Sequence, residues 1–231
     1  MLRRAPRWRE AVWLLGAVAL LLLAAGCGQH DVAVDFPIAA GFQPLEPLST
    51  LATFPAGTVG DPYPQGLGPI VGVPGFDHYR SHARGYLHAT LAQVYTALHD
   101  PAASYIHNSS GSPQFNGIDQ GVEPFPVSFR IHYFNSTVIG DVRFDVTYRA
   151  GLLDGTDLAP VLVGERYQKT WGTDHIRVMS GSLTARAVEG AQDVTEVEMI
   201  AWLSADTQGQ SNCDGTLRDL FSDLAGVLAT P

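Results

Sequence analysis

Histidine is the residue type in this sequence with the widest chemical use, so its spacing decides whether a metal or acid–base site is expected. His78 and His82 have the spacing of a metal-binding pair only on a helix, and the nearby glycines disfavour a helix there. On one strand, His82 and His88 would lie about 20 Å apart. We therefore predict scattered, hydrogen-bonded histidines, with no metal and no cofactor. The histidines weighed in this way are His78, His82, His88, His99, His107, His132 and His175.

Motifs for other chemistries are missing from the sequence. It has no Gly-x-Ser-x-Gly elbow, no His-Glu-x-x-His, no phosphate-binding glycine loop and no Cys-x-x-Cys. Glu196 and Glu198 share one face of a predicted strand. Two carboxylates on a solvent-exposed face are more ordinary than an acid–base pair. Arginines on the neighbouring strands are expected to pair across the sheet with acidic residues. These arginines are Arg130, Arg143 and Arg149.

Cys27 follows a segment with the three parts of a secretory signal. Four arginines lie before residue 10, an apolar run extends from Ala11 to Leu23, and small residues precede the cysteine. The run 22–27 resembles the lipobox of bacterial lipoproteins, with Ala24 at a position where that family usually has Leu. The resemblance implies cleavage after residue 26, acylation of the Cys27 thiol and, with Gly28 next, retention in the outer membrane of the bacterial envelope. An uncleaved anchor or an ordinary secretory signal is the alternative, although 11–26 is shorter than the roughly 20 residues of a membrane-spanning helix.

The charge balance excludes some partners. The chain has 14 basic and 23 acidic residues, and without residues 1–26 it keeps 10 basic against 22 acidic. Such an acidic protein has no electrostatic reason to bind nucleic acid or anionic lipid headgroups. The predicted membrane contact is therefore made by the acyl chains on Cys27. Cys213, which has no other thiol to pair with once Cys27 is acylated, is expected as a small, partly buried residue at a helix start.

Three regions follow from composition. Residues 1–26 are the predicted signal peptide. Residues 27–76 read as a tether, because 28–76 hold eight prolines and eight glycines and show no apolar period. Residues 77–231 are the predicted globular domain, although parts of the tether are apolar enough to dock on it.

The first part of the domain has a helical pattern. A strand is expected at 80–88, followed by a helix that Thr90 and Gln93 begin with a capping box. Asp100 and Pro101 suit the start of a second short helix that extends to about residue 107. A polar loop is expected at 108–124. The apolar stripe of the first helix consists of Leu91, Val94, Tyr95 and Leu98.

The period then changes to two, which predicts an antiparallel sheet with one apolar face. The C-terminal helix has a wide apolar stripe that we expect to pack on that face, with Asp214 or Thr216 as its cap. The predicted strands are 126–134, 142–149, 161–171, 175–180, 182–188 and 194–204, with a break at Gly181. The helical stripe consists of Leu217, Leu220, Phe221, Leu224, Val227 and Leu228.

This order of elements resembles the helix-grip domain of the START and polyketide-cyclase-like superfamily (SRPBCC). The residues that carry the resemblance are the helix and following turn at 89–101 and the hairpin from 181 to 197. The resemblance implies an α+β fold in which a curved antiparallel sheet of about six to seven strands wraps around the C-terminal helix, with two short helices near the start of the domain. The loop at 107–125 is longer than the corresponding link in that family.

The resemblance also implies a binding module that holds an apolar or amphipathic small molecule between the sheet and the terminal helix. Two alternatives stay open: a structural or partner-interaction protein of the envelope with a filled core, and a cyclase- or hydrolase-like enzyme. We expect no catalytic residue, because no nucleophile or acid–base pair stands out. The predicted lining of the cavity consists of Phe129, Ile131, Tyr133, Phe144, Val146, Tyr148, Tyr167, Trp171, Leu220 and Leu224.

Overall fold

A computed structural model describes residues 66–67, 71–72, 78–104, 114–122, 125, 127–137, 140–206 and 209–229. Cys27, the signal segment and most of the predicted tether lie outside these residues. The described elements are β1 (Val71–Gly72), β2 (Tyr79–Leu87), α1 (Leu91–Ala97), a 3₁₀ helix (Pro101–Ser104), β3 (Gln114–Gln120), β4 (Ser128–Thr137), β5 (Gly140–Thr156), β6 (Ala159–Gly172), β7 (Ile176–Val188), β8 (Ala191–Ala205) and α2 (Gln210–Leu228).

All the strands form one antiparallel sheet in the order β1-β2-β8-β7-β6-β5-β4-β3. From β3 to β8 each strand pairs with the next in the chain, and β2 returns to lie beside β8. The terminal helix α2 packs across one face of the sheet, against β2, β8 and the 3₁₀ helix. We call this side the inner face and the opposite side the outer face. The predicted helix-grip α+β fold is confirmed; in the described residues the sheet has eight strands when the two-residue β1 is counted.

Three of the observed strands differ from the strands that the sequence predicted. Strand β3 lies in the segment predicted as a loop, and it shows no apolar alternation because it is an edge strand with a bulge between Phe115 and Gly117. Strand β7 continues through Gly181, which was expected to break it. Strand β1 and a bridge between Leu67 and Gly85 lie in the range predicted as tether. The boundary of the tether stays a prediction.

The first residues of the helices agree only in part with the prediction. Thr90 caps α1 as predicted, since its side chain accepts from the Gln93 backbone N–H while the Gln93 side chain accepts from the Thr90 N–H. The described part of the second helix is a single 3₁₀ turn, Pro101–Ser104. Helix α2 begins at Gln210 after Gly209, so Asp214 and Thr216 are not its caps. The Asp214 carboxylate instead accepts hydrogen bonds from Ser81 and Gln210, which fastens the helix to β2.

The inner face has two hydrophobic clusters. The aliphatic cluster joins β2, β8 and α1 to Leu217, Phe221 and Leu224 of α2. The aromatic cluster lies on β4, β5 and β6, with Leu220 from α2. Along α2, Leu220 and Phe221 lie at opposite margins of the apolar stripe because successive residues are about 100° apart. Among the described residues, no helix is both long and apolar enough to cross a membrane.

Candidate functional site

Alternate residues of three strands build the aromatic cluster. Strand β4 contributes Phe129, Ile131 and Tyr133, and each of these is at most 3% exposed. The matching residues of β5 and β6 are at most 6% exposed, and the helix adds one side chain. The structure therefore brings together most of the residues that the sequence predicted as a cavity lining. These partners from β5, β6 and α2 are Phe144, Val146, Tyr148, Tyr167 and Leu220.

Leu224 and Trp171 lie elsewhere. Leu224 belongs to the aliphatic cluster, since it lies on the same side of α2 as Leu217. Trp171 was expected to face inward with Tyr167, but a bulge between β5 and β6 shifts the alternation after Lys169. Trp171 is consequently opposite Asp145, which points outward, and is 36% exposed. Trp171 is removed from the predicted lining.

The aromatic rings form a connected series. Phe129 stacks on Tyr148 with ring centroids 5.1 Å apart, and Tyr133 stacks on Phe144 at 4.8 Å. The Tyr133 and Tyr148 hydroxyls are 3.3 Å apart, within hydrogen-bond distance. The Tyr167 ring lies 5.6 Å from the Tyr148 ring. Packed aromatic pairs of this kind stabilise a core, and the tyrosines also place hydroxyls inside it.

The Tyr167 hydroxyl has no hydrogen-bond partner, although the residue is only 2% exposed. Its ring lies over Gly181, so that a Cβ atom at Gly181 would come within 2.1 Å of the Tyr167 Cζ. This contact explains why glycine occupies an interior position of β7. Burial raises the pKa of Tyr167 well above its usual range, which keeps the hydroxyl protonated. A buried unpaired hydroxyl costs about 1–3 kcal/mol, so this position is unusual for an inert core.

A carboxyl group lies next to Tyr167 on the inner face. Glu165 is 3% exposed and accepts a hydrogen bond of 3.0 Å from the Ser104 hydroxyl of the 3₁₀ helix. Burial raises the pKa of Glu165 to about 7, so near neutral pH its carboxyl group is partly protonated. Sequence reasoning missed this residue, although the alternation of Val163, Glu165 and Tyr167 along β6 was a usable signal.

Lys169 is the next inward residue of β6 and is fully buried. Its Nζ donates to the Thr173 carbonyl oxygen at 2.6 Å and to that of Ile176. Burial lowers the pKa of Lys169 to about 8. These bonds close the turn between β6 and β7, so the ammonium group has a structural role at the end of the aromatic cluster.

Three of the described histidines, His82, His132 and His175, are hydrogen-bonded to carboxylates at separate positions, and His107 lies outside the described residues. His82 lies on β2 and contacts Glu198 at 2.7 Å, which excludes a helical pair with His78. His132 bridges Asp119 at 3.1 Å and Asp145 at 2.8 Å on the outer face. Within the part of the chain that the structure describes, no three His, Cys, Asp or Glu side chains are grouped so as to hold a metal ion.

The outer-face carboxylates are in ion pairs. Glu196 contacts Arg186 at 2.5 Å, while Glu198 is 3.8 Å from Arg84 in addition to its contact with His82. Glu198 is buried, with 7% exposure, so this part of the outer face is not the solvent-exposed surface that the alternation predicted. Neither glutamate is arranged as an acid–base pair with the other.

The three arginines that were predicted to pair with acidic residues differ in their contacts. Arg130 pairs with Asp119 at 2.5 Å, and Arg143 contacts Asp141 at 3.6 Å. Arg149, predicted on a polar face with a carboxylate partner, is instead buried, and its guanidinium lies 4.3 Å from the Phe125 ring centroid.

Cys213 is fully buried in the first turns of α2, where its thiol contacts the Ala201 carbonyl oxygen at 3.5 Å. Burial raises the pKa of this thiol to about 11, so it stays protonated and has little nucleophilic character. This placement agrees with the predicted small, buried residue at the helix start.

In comparisons with known proteins, no family model matches the chain and no curated protein matches it. The solved structures similar to it include the lipid transfer and protein localization domain of human StarD13, at 7% identity and a TM-score of 0.47, covering 78% of this chain and 89% of that one. A START superfamily protein from Mycobacterium smegmatis is similar at 11% identity and a TM-score of 0.44, over 65% of this chain and 97% of its own. The Zhui aromatase/cyclase from Streptomyces sp. R1128 is similar at 12% identity and a TM-score of 0.38, over 64% and 90%. At these values the similarity carries no argument about ligand or activity.

Proposed function

We propose that the domain binds an uncharged, largely apolar small molecule on the inner face of the sheet, beside the aromatic cluster. The observation that carries this proposal is the Tyr167 hydroxyl, which is buried among aromatic rings and has no hydrogen-bond partner. A ligand oxygen placed next to it would satisfy the hydroxyl and remove the cost of its burial. Ligand sites commonly combine an apolar lining with a few such polar groups.

The helix leaves this half of the inner face less covered than the other half. Among the described residues, Leu220 is the α2 side chain in the aromatic cluster, whereas Cys213, Leu217, Phe221 and Leu224 belong to the aliphatic cluster. A flat apolar molecule would contact the rings of Tyr148 and Tyr167 in the way that aromatic side chains contact one another.

The charges favour an uncharged ligand. Glu165 places a carboxyl group beside Tyr167, and the nearby ammonium of Lys169 is bound by two backbone carbonyl oxygens. Among the described residues of the inner face, the nearby Lys169 ammonium is already engaged, so an anionic ligand would be buried close to a group that itself becomes negative above pH 7. Free fatty acids and phosphate esters are accordingly disfavoured relative to alcohols and ketones.

Binding of matched aromatic probes tests this proposal. The chain from residue 28 onward, once circular dichroism shows that it is folded, is titrated at pH 8 with 2-naphthol, naphthalene and 2-naphthoate. We expect saturable binding of 2-naphthol that weakens about 5–10-fold in Tyr167→Phe, because roughly one hydrogen bond is lost. Naphthalene binding should not change. Tyr95→Phe, at a partly exposed tyrosine on α1, is the control.

Two outcomes would contradict different parts of the proposal. The absence of saturable binding for all three probes would favour the structural protein with a filled core. Tight binding of 2-naphthoate, equal to that of 2-naphthol, would show that a ligand site exists but that it accepts anions.

We further propose that the protein is a lipid-anchored component of the bacterial envelope, held in the outer membrane by acyl chains on Cys27. The support is the 22–27 sequence and the acidic composition, which gives no other attraction to a membrane. Cells grown with labelled palmitate should label the natural chain, whereas Cys27→Ala should stay unlabelled and unprocessed. Label on the Cys27→Ala variant, or none on the natural chain, would contradict acylation at this residue.

A further inference from the structure

The strand β3 is joined to the rest of the sheet by a cluster of charged side chains on the outer face. Asp119 is the β3 member of this cluster, Arg130 and His132 lie on β4, and Asp145 lies on β5. Within the part of the chain that the structure describes, β3 pairs with β4 alone and leaves its other edge without a strand. Side-chain contacts therefore matter more for holding β3 than for holding a central strand.

Both ring nitrogens of His132 face carboxylate oxygens. Nδ1 lies 2.8 Å from an Asp145 oxygen, and Nε2 lies 3.1 Å from an Asp119 oxygen. The ring also lies beside Gly117 of β3, where an added Cβ atom would come within 3.6 Å of the His132 Cδ2. His132 thus links β3 to β5 across the strand between them.

The hydrogen-bonding capacity of imidazole decides which charge state fits this arrangement. A neutral ring has one N–H and one lone pair, a protonated ring donates from both nitrogens, and an ionised carboxylate only accepts. The Arg130 guanidinium lowers the pKa of the Asp119 carboxyl, which is therefore ionised near neutral pH. A neutral His132 would turn a lone pair toward one of its two carboxylates, whereas a protonated His132 satisfies both.

The charges around the ring balance when His132 is protonated. Two carboxylates then face two cations, and loss of the proton leaves one negative charge in excess. Arg143, the next charged outer-face residue of β5, contacts Asp141 at 3.6 Å and does not replace the lost cation. The charged groups that face the ring from β3, β4 and β5 are Asp119, Arg130 and Asp145.

We infer that His132 is a pH-dependent fastening of the edge strand β3 to the sheet. Protonation lets the ring donate to Asp119 and Asp145 together, and deprotonation gives up one of these contacts. Histidine changes charge between about pH 5 and 8, so β3 should be held most firmly at the acidic end of this range. Ile118 of β3 lies opposite Ile131 on the inner face, so release of the strand uncovers the margin of the aromatic cluster. This fastening does not require a ligand.

Hydrogen exchange of the full chain in nonionic detergent tests the fastening. Relative to the amides of β8, a central strand, the protection factors of the β3 amides should be about 3–10-fold lower at pH 8 than at pH 5.5, because roughly one hydrogen bond is lost. His132→Asn should lower the protection at pH 5.5 to its value at pH 8, and Asp145→Asn should reduce the difference. His175→Asn is the matched control, since His175 contacts one carboxylate, that of Asp206, at 2.8 Å.

A measurement on the unsubstituted chain protects the test from variants that do not fold. The ring nitrogen resonances of His132 report its protonation, and the protection of β3 should follow them through the titration. A ring that keeps one charge state from pH 5.5 to 8, or a fall in β3 protection no larger than that of β8, would overturn the inference. An unchanged pH dependence in folded His132→Asn would overturn it as well.

Discussion

The two halves of the inner face are built differently. In the aliphatic cluster, alanine and leucine side chains pack under Leu217, Phe221 and Leu224 of the helix, and hydrogen-bonded polar groups lie beside them. Thr195, for example, donates to the Ala89 carbonyl oxygen at 2.8 Å. The aromatic cluster has larger rings, one helix residue, a buried carboxyl group next to it and an unpaired hydroxyl. The first half holds the helix to the sheet, and the second half is the one in which we propose that a ligand binds.

The largest expected effect lies in the aliphatic cluster. Leu224 is 1% exposed, and Leu224→Ala should reduce the free energy of unfolding by about 2–5 kcal/mol, because a cavity is left under the helix. Arg143→Ala on the exposed outer face should change it by about 0.5 kcal/mol. Urea denaturation measures both. Equal losses at the two positions would show that Leu224 does not hold the helix to the sheet.

The second effect is a pH dependence centred on Glu165. Its pKa is raised from 4.5 to about 7 in the folded protein, so the protonated form is favoured by folding. The resulting stability is fully present below pH 4.5 and is lost as the pH rises through about 7. The total change is at most about 3.5 kcal/mol, since one pKa unit corresponds to about 1.4 kcal/mol.

Glu165→Gln should flatten this part of the pH profile, because the amide stays neutral. Urea denaturation at pH 5 and pH 8 provides the measurement, and Glu189→Gln at an exposed turn should leave the profile unchanged. A profile that is identical in the natural chain and in Glu165→Gln would mean that the Glu165 carboxyl group is not buried.

The third effect tests the contact between β6 and β7 at Tyr167 and Gly181. Gly181→Ala places a methyl group against the Tyr167 ring and should destabilise the fold by about 1–3 kcal/mol. In a Tyr167→Leu background the same glycine substitution should cost much less than in the natural chain, because the smaller side chain leaves room for the methyl group. Gly226→Ala, where no atom lies within 4 Å of the added carbon, is the control. A cost at Gly181 that persists without Tyr167 would point to the β7 backbone as its cause.

The sequence predicted the fold wherever a period was strong. The capping box at Thr90, the alternation of β4 and β5 and the stripe of α2 each depend on neighbouring residues, and the structure has all three. Strand β3 could not be predicted in this way, because its order depends on pairing with β4 and on the contact between Asp119 and Arg130.

The candidate site was also predicted only in part, because periodicity shows which residues share a face and does not show irregularities of the strand pairing. Alternation identified the buried aromatic residues, but a bulge one residue long moved Trp171 to the outer face. Glu165 becomes unusual only when strand register and burial are known. A single sequence shows that Glu165 is ionisable, and it does not show that the carboxyl group is buried.

The smallest effect separates recognition from packing at Tyr167. Without ligand, Tyr167→Phe should stabilise the protein by up to about 1 kcal/mol, because it removes a buried hydroxyl that has no partner while it keeps the ring. Tyr133→Phe should instead be destabilising by about 1 kcal/mol, since it breaks the hydrogen bond to Tyr148 and leaves that hydroxyl buried. With 2-naphthol bound, the advantage of Tyr167→Phe should disappear or reverse, because the natural chain then gains the hydrogen bond. Thermal unfolding of both variants with and without the probe gives these four values. If Tyr167→Phe is destabilising without ligand, then the hydroxyl already has a partner in the free protein and the two halves of the inner face do not differ in this respect.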